Sequence, residues 1–309
     1  MDILKLLKIN ILVVVTELGR GKLLREVARE VFGEGVASKV WGRIEVIGDI
    51  AVIRKPPDLD IGVLRVLAQE LLKRLKYVKS VWAAITPIEG AYRIRQYVHL
   101  AGEPRSVTLY KEHGCIFKID ITKVYISPAL NYEHIRIAKQ VQDGEFIINM
   151  FAGAGLFSII IAKHAKPKKV ISIDINPHAY ELMKENVKLN KVGDVVEPVL
   201  GDAGEVVLKY KETADRILMP LPELAYKYIP RALYALKKEG IIHVYDFISA
   251  EKEEQAIEQA KIKYLTKLKE LKTQPQIQHA RTVRSVGPRY YQVTLDIKIM
   301  KSLHYRLCV

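Results

Sequence analysis

Cysteine is nearly missing from this chain of 309 residues, in which only Cys115 and Cys308 occur. Two thiols so spaced suit neither a disulfide framework nor a zinc site, so a reduced, cytoplasmic setting without a metal is expected. Long apolar runs are missing too. Nothing approaches the roughly 18 residues that a membrane helix needs. The short Ile11–Val15 stretch has no cleavage site beside it, so no secretory signal is read either. Acidic residues are in deficit, 35 against 49 lysines and arginines, giving a net charge of +14. Heat tolerance favours charge of both signs and does not explain such an excess. A basic surface attracts a polyanion, so nucleic acid is the expected partner. Repeats, low-complexity tracts and coiled-coil patterns are all lacking, and a monomer is expected.

What the chain does contain is a strand, a tight turn and a helix in succession. The apolar run Phe146–Met150 leads into FAGAGLFS, Phe151–Ser158, and then into an apolar helical run to Ala165. Gly153 and Gly155 allow close backbone approach at a helix N-terminus. The next strand-like run, Val170–Ile175, carries Asp174 nineteen residues after Gly155, where an acid grips the hydroxyls of a ribose. A dinucleotide fingerprint needs a third glycine near Phe157 and Ser158, and here Leu156 and Phe157 are bulky. Close approach without a diphosphate suits S-adenosyl-L-methionine, with S-adenosyl-L-homocysteine as product. The glycines alone would also suit an ordinary turn in a parallel sheet.

Around this motif the pattern divides. A short segment, residues 1–21, precedes a small α+β domain, residues 22–104. That domain shows helical spacing over Lys22–Phe32 and Ile61–Leu75 and strands at Ile44–Val46, Ala51–Ile53 and Val81–Ile85. The larger domain, residues 105–309, opens with a hairpin about Gly114 and a helix over Tyr132–Val141. Strands and helices then alternate to Phe247, which predicts an α/β fold with a doubly wound, mostly parallel sheet. An alternating run over Arg289–Met300, with Tyr291, Val293, Leu295 and Ile297 on one face, predicts a closing antiparallel strand.

FAGAG, IDINPHA and MPLP, in that order, resemble the archaeal tRNA (guanine37-N1)-methyltransferases and the related wyosine-pathway methyltransferases. YRIRQYVHLAGEP (Tyr92–Pro104), DITKVYISP (Asp120–Pro128) and GPRYYQVTLDIKI (Gly287–Ile299) are similar to segments of the same family, so the likeness runs from about Lys22 to Lys301. It implies a class I, Rossmann-like transferase that modifies position 37 of tRNA-Phe, reached through the anticodon stem-loop. By position, it implies that Glu133 is the general base, that Arg93 stabilises the target base, and that Pro220 and Pro222 shape its pocket. Tyr125, Phe151, Gly153, Gly155, Asp174, Ile175, Asp202 and Pro220 would hold the cofactor. Arg93, Arg95, His134, Arg284 and Arg289 would meet the RNA.

Chemistry is consistent with these roles. Guanine N1 carries a proton at neutral pH, so methylation needs a base, and an arginine can stabilise charge building on O6. A base within the anticodon loop must be extruded into a pocket, for which Tyr125, Pro220 and Pro222 are candidate walls. Plainer readings stand beside them. Glu133 also suits the first turn of a helix, Arg93 and Arg95 suit phosphate contacts on a strand, Pro220 and Pro222 suit a strand end, and Asp202 suits a helix cap.

The sequence departs from the guanine-N1 enzymes at Pro220-Leu221-Pro222, where they have Asn-Leu-Pro. Loss of the amide favours C7 of 4-demethylwyosine (imG-14) as acceptor, with or without guanine N1. His134 replaces an arginine of some dual-specificity members, and Asn149 replaces an acid. Two other readings are an aminocarboxypropyl transferase of the same pathway and a non-catalytic tRNA-binding scaffold. Many members carry a leading domain that contacts the outer corner of tRNA; here it is expected to be absent or truncated.

Overall fold

The structure, a computed structural model, describes residues 20–302; the segment before Arg20 and Cys308 lie outside the described residues. Two compact units make up the chain. One takes the sequence up to Tyr110 together with Lys118–Pro128, and the other takes Lys111–Phe117 and everything from Ala129 onward.

The first unit begins with α1 (Arg20–Phe32) and α2 (Glu34–Ala37) and continues through β1 (Ile44–Ile47), β2 (Ile50–Arg54), α3 (Ile61–Arg74), β3 (Ser80–Ala84) and β4 (Tyr97–Gly102). Its strands lie in the order β1-β2-β3-β4. β1 and β2 form a hairpin through Gly48-Asp49, while β2 and β3 run parallel because α3 carries the chain across. Leu24, Val27 and Ala28 of α1 join Leu64, Leu67, Ala68 and Leu71 of α3 over Ala51, Ile53, Val81 and Ala83. The i, i+3, i+4 spacing of those helical residues is what presents one apolar face to the sheet. Asp60 starts α3 by accepting the Gly62 N–H at 2.6 Å.

A hairpin of β5 (Val107–Glu112) and β6 (Cys115–Asp120) turns at Gly114, as its sequence predicts. The second unit proceeds as α4 (Asn131–Ala138), β7 (Phe146–Asn149), α5 (Leu156–His164), β8 (Lys169–Asp174), α6 (Pro177–Leu189), β9 (Val196–Leu200), α7 (Ala203–Val206), β10 (Ala214–Met219), α8 (Pro222–Ala235), β11 (Leu236–Ser249), α9 (Glu253–Glu270), β12 (Thr273–Gly287) and β13 (Tyr290–Lys301). The seven strands lie in the order β12-β13-β11-β10-β7-β8-β9. β9, β8, β7, β10 and β11 are mutually parallel, and β13 runs antiparallel between β11 and β12. The doubly wound, mostly parallel sheet with a smaller N-terminal α+β unit is therefore as the sequence predicts. Chain order reverses between β7 and β10, so the crevice that such folds use for ligands opens at the carboxyl ends of these strands.

The two faces of this sheet differ. Ile217 and Met219, Ile242 and Val244, and Val293, Leu295, Ile297 and Ile299 project to one side, where Ala225, Ile229, Ala232 and Leu233 of α8 and Ala256, Ala260, Tyr264 and Leu268 of α9 cover them. Arg216, His243, Thr294 and Asp296, each next in sequence to one of these, point the other way and are buried all the same. The sequence of β13 alternates as a half-wet strand does, yet from Gln292 to Ile297 both of its faces are buried.

Three further segments differ from the sequence reading. β11 starts directly after α8, and β12 is a 15-residue strand whose polar sequence carries no two-residue period. Its place at the sheet edge tolerates both that polarity and Pro275. Arg93 lies in a turn instead of a strand, closed by paired Glu89 and Ile94 backbone groups, and Arg95 follows it in irregular backbone before β4.

Candidate active site

The glycine turn and Asp174 meet as the spacing predicts. Asp174 ends β8, and its Oδ2 accepts the Gly153 N–H at 2.7 Å while its Oδ1 accepts the Asn176 N–H at 2.9 Å. Burial pushes its carboxyl above the usual range, and the backbone N–H groups of Asn176, Gly153 and Ile175 pull it part of the way back. Three backbone donors leave the carboxylate capacity for a further hydrogen bond, which suits a ribose hydroxyl.

Gly155 holds φ at +92°, and a Cβ there would lie 2.9 Å from Met183 Cγ, so a side chain at that point would displace Met183 and strain the backbone. Gly155 is the N-cap of α5, as the motif requires. Two buried amides steady the same turn. Asn149 Nδ2 donates to Ser158 Oγ at 3.1 Å, and Asn186 Nδ2 donates to the Ala154 carbonyl at 3.0 Å. Asn149 thus acts as a structural tie across the loop.

At the end of β9, Asp202 caps α7 by accepting the Gly204 and Glu205 N–H groups on Oδ1, and its Oδ2 accepts the Tyr228 hydroxyl at 2.7 Å. Burial, then the hydrogen bond to Asp202, pushes the Tyr228 phenol up to about 12. The Tyr228 ring meets Phe151 edge-on at 5.5 Å. Phe151, Gly153, Gly155, Asp174, Ile175, Asp202 and Pro220 therefore all stand at the ends of β7, β8, β9 and β10. Tyr228 escaped the sequence reading because it lies on the second turn of a helix with no motif around it. Pro222 is the first residue of α8, where the missing N–H costs nothing, and Pro220 joins that helix to β10.

Glu133 sits in the first turn of α4, 1% exposed. Its Oε2 accepts from Tyr245 Oη at 3.0 Å, from Arg136 Nε at 3.0 Å and from Arg136 Nη2 at 2.8 Å. Its Oε1 accepts no hydrogen bond, and Arg281 Nη1 stands 3.3 Å away at ion-pair distance only. The Arg281 guanidinium also lies over the ring of Tyr132, 4.6 Å from its centroid, and that ring is 57% exposed.

Behind Arg136, Asp296 accepts from both of its terminal nitrogens, from Gln140 at 2.9 Å and from His243 Nδ1 at 2.7 Å. Arg216 Nη1 is 2.6 Å from His243 Nε2 and can only donate, so that nitrogen accepts and His243 is neutral with its proton on Nδ1. Burial drives the His243 pKa down, in line with that tautomer. Burial alone would raise the Asp296 carboxyl, but His243 and Arg136 together hold it well below the carboxylate range. Burial also sends the Tyr245 phenol far up, with Glu133 adding to the effect, so it stays a donor. Arg136, Tyr245 and Arg281 lie in none of the motifs, Asp296 lies in the Gly287–Ile299 segment with no role assigned to it, and their common address emerges only when strands pair.

The residues expected at RNA fall differently. His134 is enclosed, its Nδ1 hydrogen-bonded to buried Glu112 and its ring edge-on to Phe157 at 4.3 Å, so it packs α4 instead of facing a substrate. Arg284 Nε donates to Gln292 at 2.8 Å, and Arg289 is exposed beside Glu251 at 2.9 Å. Arg93, Arg95 and Tyr125 belong to the first unit. Arg93 holds φ at +57°, an uncommon conformation for a side chain of that size. Arg95, Arg43 and Arg54 surround the Glu45 carboxylate at 3.4–3.9 Å, and Tyr125 is 39% exposed.

The TRM5/TYW2 methyltransferase domain matches residues 108–274, and the TYW2 N-terminal domain matches residues 24–105. The chain belongs to the TRM5/TYW2 methyltransferase family. It is 46% identical over 259 residues to the tRNA 4-demethylwyosine(37)-methyltransferase Taw21 of Saccharolobus solfataricus, covering 84% of this chain and 94% of that one. It is 37% identical to the tRNA (guanine(37)-N(1))-methyltransferase Trm5b of Pyrococcus abyssi, covering 82% of this chain and 74% of that one. The crystal structure of Methanocaldococcus jannaschii TYW2 in complex with AdoMet superposes with a TM-score of 0.65 at 25% identity, over 84% of this chain and all of that one. Membership makes S-adenosylmethionine the expected occupant of the Asp174 crevice, and the acceptors found there fit it. Among the described residues no helix is long and apolar enough to cross a membrane.

Proposed function

We propose that this protein is an S-adenosylmethionine-dependent methyltransferase acting on position 37 of tRNA-Phe, at C7 of 4-demethylwyosine, at N1 of guanosine, or at both. The observation that carries it is the Glu133 carboxylate, buried, with one oxygen saturated and the other accepting no hydrogen bond beside the Arg281 guanidinium. Bound beside it, S-adenosylmethionine supplies a methyl group on a positively charged sulfur, which keeps the bonding electrons when the methyl leaves. Asp174 binds the ribose, and Asp202 accepts the adenine amino group on the lone pair that Tyr228 leaves. Ile175 and Phe151 provide apolar contact for the adenine ring, and the Gly153–Gly155 turn lets the backbone approach.

The base bonds the methyl carbon with an electron pair of its own, the pair on N1 or a ring π pair at C7, and the methylated atom must lose its proton to restore the neutral ring. Glu133 takes that proton, and Arg93 stabilises charge on the target base. The left-handed backbone at Arg93 supports a role there, since such conformations gather at functional positions. Pro220 and Pro222 form apolar wall for the extruded base, and Pro220 in place of an amide favours the tricyclic base. The net charge of +14 supports a polyanionic partner read at the anticodon stem-loop, and the proposed form is a cytoplasmic monomer.

Incubation with labelled cofactor and tRNA-Phe carrying either guanosine or 4-demethylwyosine at position 37, followed by nucleoside mass spectrometry, tests this. Methyl on the tricyclic base is expected. An aminocarboxypropyl adduct would assign the other transferase chemistry, and an unmodified position 37 in both RNAs would refute the reading.

A further inference from the structure

Glu133 is one end of a charged chain that crosses the sheet. Arg136 links it to Asp296, Asp296 to His243, His243 to Arg216, and Arg216 to Glu145 at 2.7 Å. Each link has a consequence for the next. His243, fixed as the neutral tautomer, spends its one N–H on Asp296. Asp296 therefore stays ionised and binds both terminal nitrogens of Arg136. That fixes the guanidinium in rotation, and its Nε and Nη2 both reach Oε2 of Glu133. Tyr245 fills the remaining position on the same oxygen.

We propose that Asp296 is a positioning residue for methyl transfer: by holding and neutralising Arg136 it pins Oε2 of Glu133, leaving Oε1 as the oxygen that receives the substrate proton. This rests on Glu133 being the base. The charge count explains why two carboxylates are needed. Arg136 alone beside Glu133 would favour the carboxylate and make it a poorer proton acceptor; shared with Asp296, its pull is divided. The groups facing Glu133 are Arg136 from α4, Tyr245 and His243 from β11, Asp296 from β13 and Arg281 from β12. His243 and Tyr245 are uncharged, which leaves Arg136, Asp296 and Arg281 as the charged members of this set.

The test is single-turnover methyl transfer to tRNA-Phe across pH, with folding checked by thermal stabilisation on adding S-adenosylhomocysteine. Asp296→Asn leaves Arg136 uncompensated, so the acid limb of the rate profile moves to lower pH and the plateau rate falls. Arg136→Gln leaves two carboxylates facing each other, so the limb moves to higher pH, by about one unit or more. Opposite displacements are expected, and general destabilisation produces no such sign change. Arg136→Lys keeps the charge but cannot fork between the two acids. Its limb should stay while its plateau falls, and this variant decides the matter should either other one fail to fold.

Glu133→Gln separates the two ideas. If it transfers methyl at the wild-type rate, the base assignment itself is wrong. If it is inactive while Asp296→Asn, Arg136→Gln and Arg136→Lys match the wild type in limb and plateau, the positioning role is wrong. Displacement of both limbs in one direction overturns it as well.

Discussion

Replacing Gly155 by alanine isolates what the turn before α5 demands of its backbone. An L-residue in the left-handed region costs about 1–2 kcal/mol. The added Cβ would also lie 2.9 Å from Met183 Cγ and 3.2 Å from Ile159 Cδ1. Overpacking of that kind costs about 1–3 kcal/mol, and the flexible Met183 side chain yields part of it. The sum is about 2–4 kcal/mol, or a fall of about 4–16 °C in Tm for a unit of this size. Gly144 supplies the control, since it holds φ at +81° and nothing lies within 4 Å of where an alanine methyl would stand. Gly144→Ala should therefore show the backbone cost alone, about 1–2 kcal/mol. Urea melts of both variants, compared at equal m, measure the difference. S-adenosylhomocysteine should stabilise Gly155→Ala less than wild type, because the turn that aims the Gly153 N–H at Asp174 is displaced. A Gly155→Ala protein that melts with or above Gly144→Ala would show that the turn has room and is not strained.

Three other outcomes follow from groups described above. Tyr228→Phe removes a hydrogen bond to the Asp202 carboxylate, of a kind worth about 1.5–3 kcal/mol; calorimetry should show cofactor Kd raised at least several-fold, and an unchanged Kd would detach Asp202 from the cofactor. Arg216→Met strands Glu145 and removes the donor to His243 Nε2, so denaturation should report a loss of about 3–5 kcal/mol, and a loss under 1 kcal/mol would mean that water compensates. His243 has its pKa lowered on folding, so its contribution is intact above the unfolded value near ~6.5 and drains as pH falls towards the folded one. His243→Gln should accordingly flatten the loss of stability as pH falls below that value, measured by urea midpoint against pH; parallel curves would contradict the burial argument.

How far the sequence could be read depended on how far apart the interacting residues lie. The Gly153–Asp174 contact spans 21 residues inside one strand–helix–strand unit, so spacing alone locates it. Tyr245 and Glu133 are 112 residues apart, and Arg136 and Asp296 are 160 apart, so their meeting depends on strand order, which no local pattern encodes. Burial of Thr294 and Asp296 was hidden for a second reason. Alternating apolar and polar residues normally mark one wet face, and here α4 covers it with matching charges. His134 was illegible because its partner, Glu112, lies in the preceding hairpin. Arg93 could be named by resemblance, but its turn conformation could not, since arginine rarely adopts a positive φ.

The link between Arg136 and Asp296 also ties the setting of Glu133 to the order of synthesis. A ribosome makes Gly153, Asp174 and Asp202 well before β13, so the groups at the cofactor crevice exist long before the chain is finished. Glu133 acquires its fixed orientation only when residue 296 has emerged and β13 has inserted between β11 and β12. A chain that stops before residue 296 therefore lacks the carboxylate that holds Arg136 against Glu133. Insertion of β13 is the step that orders a carboxylate made 163 residues earlier.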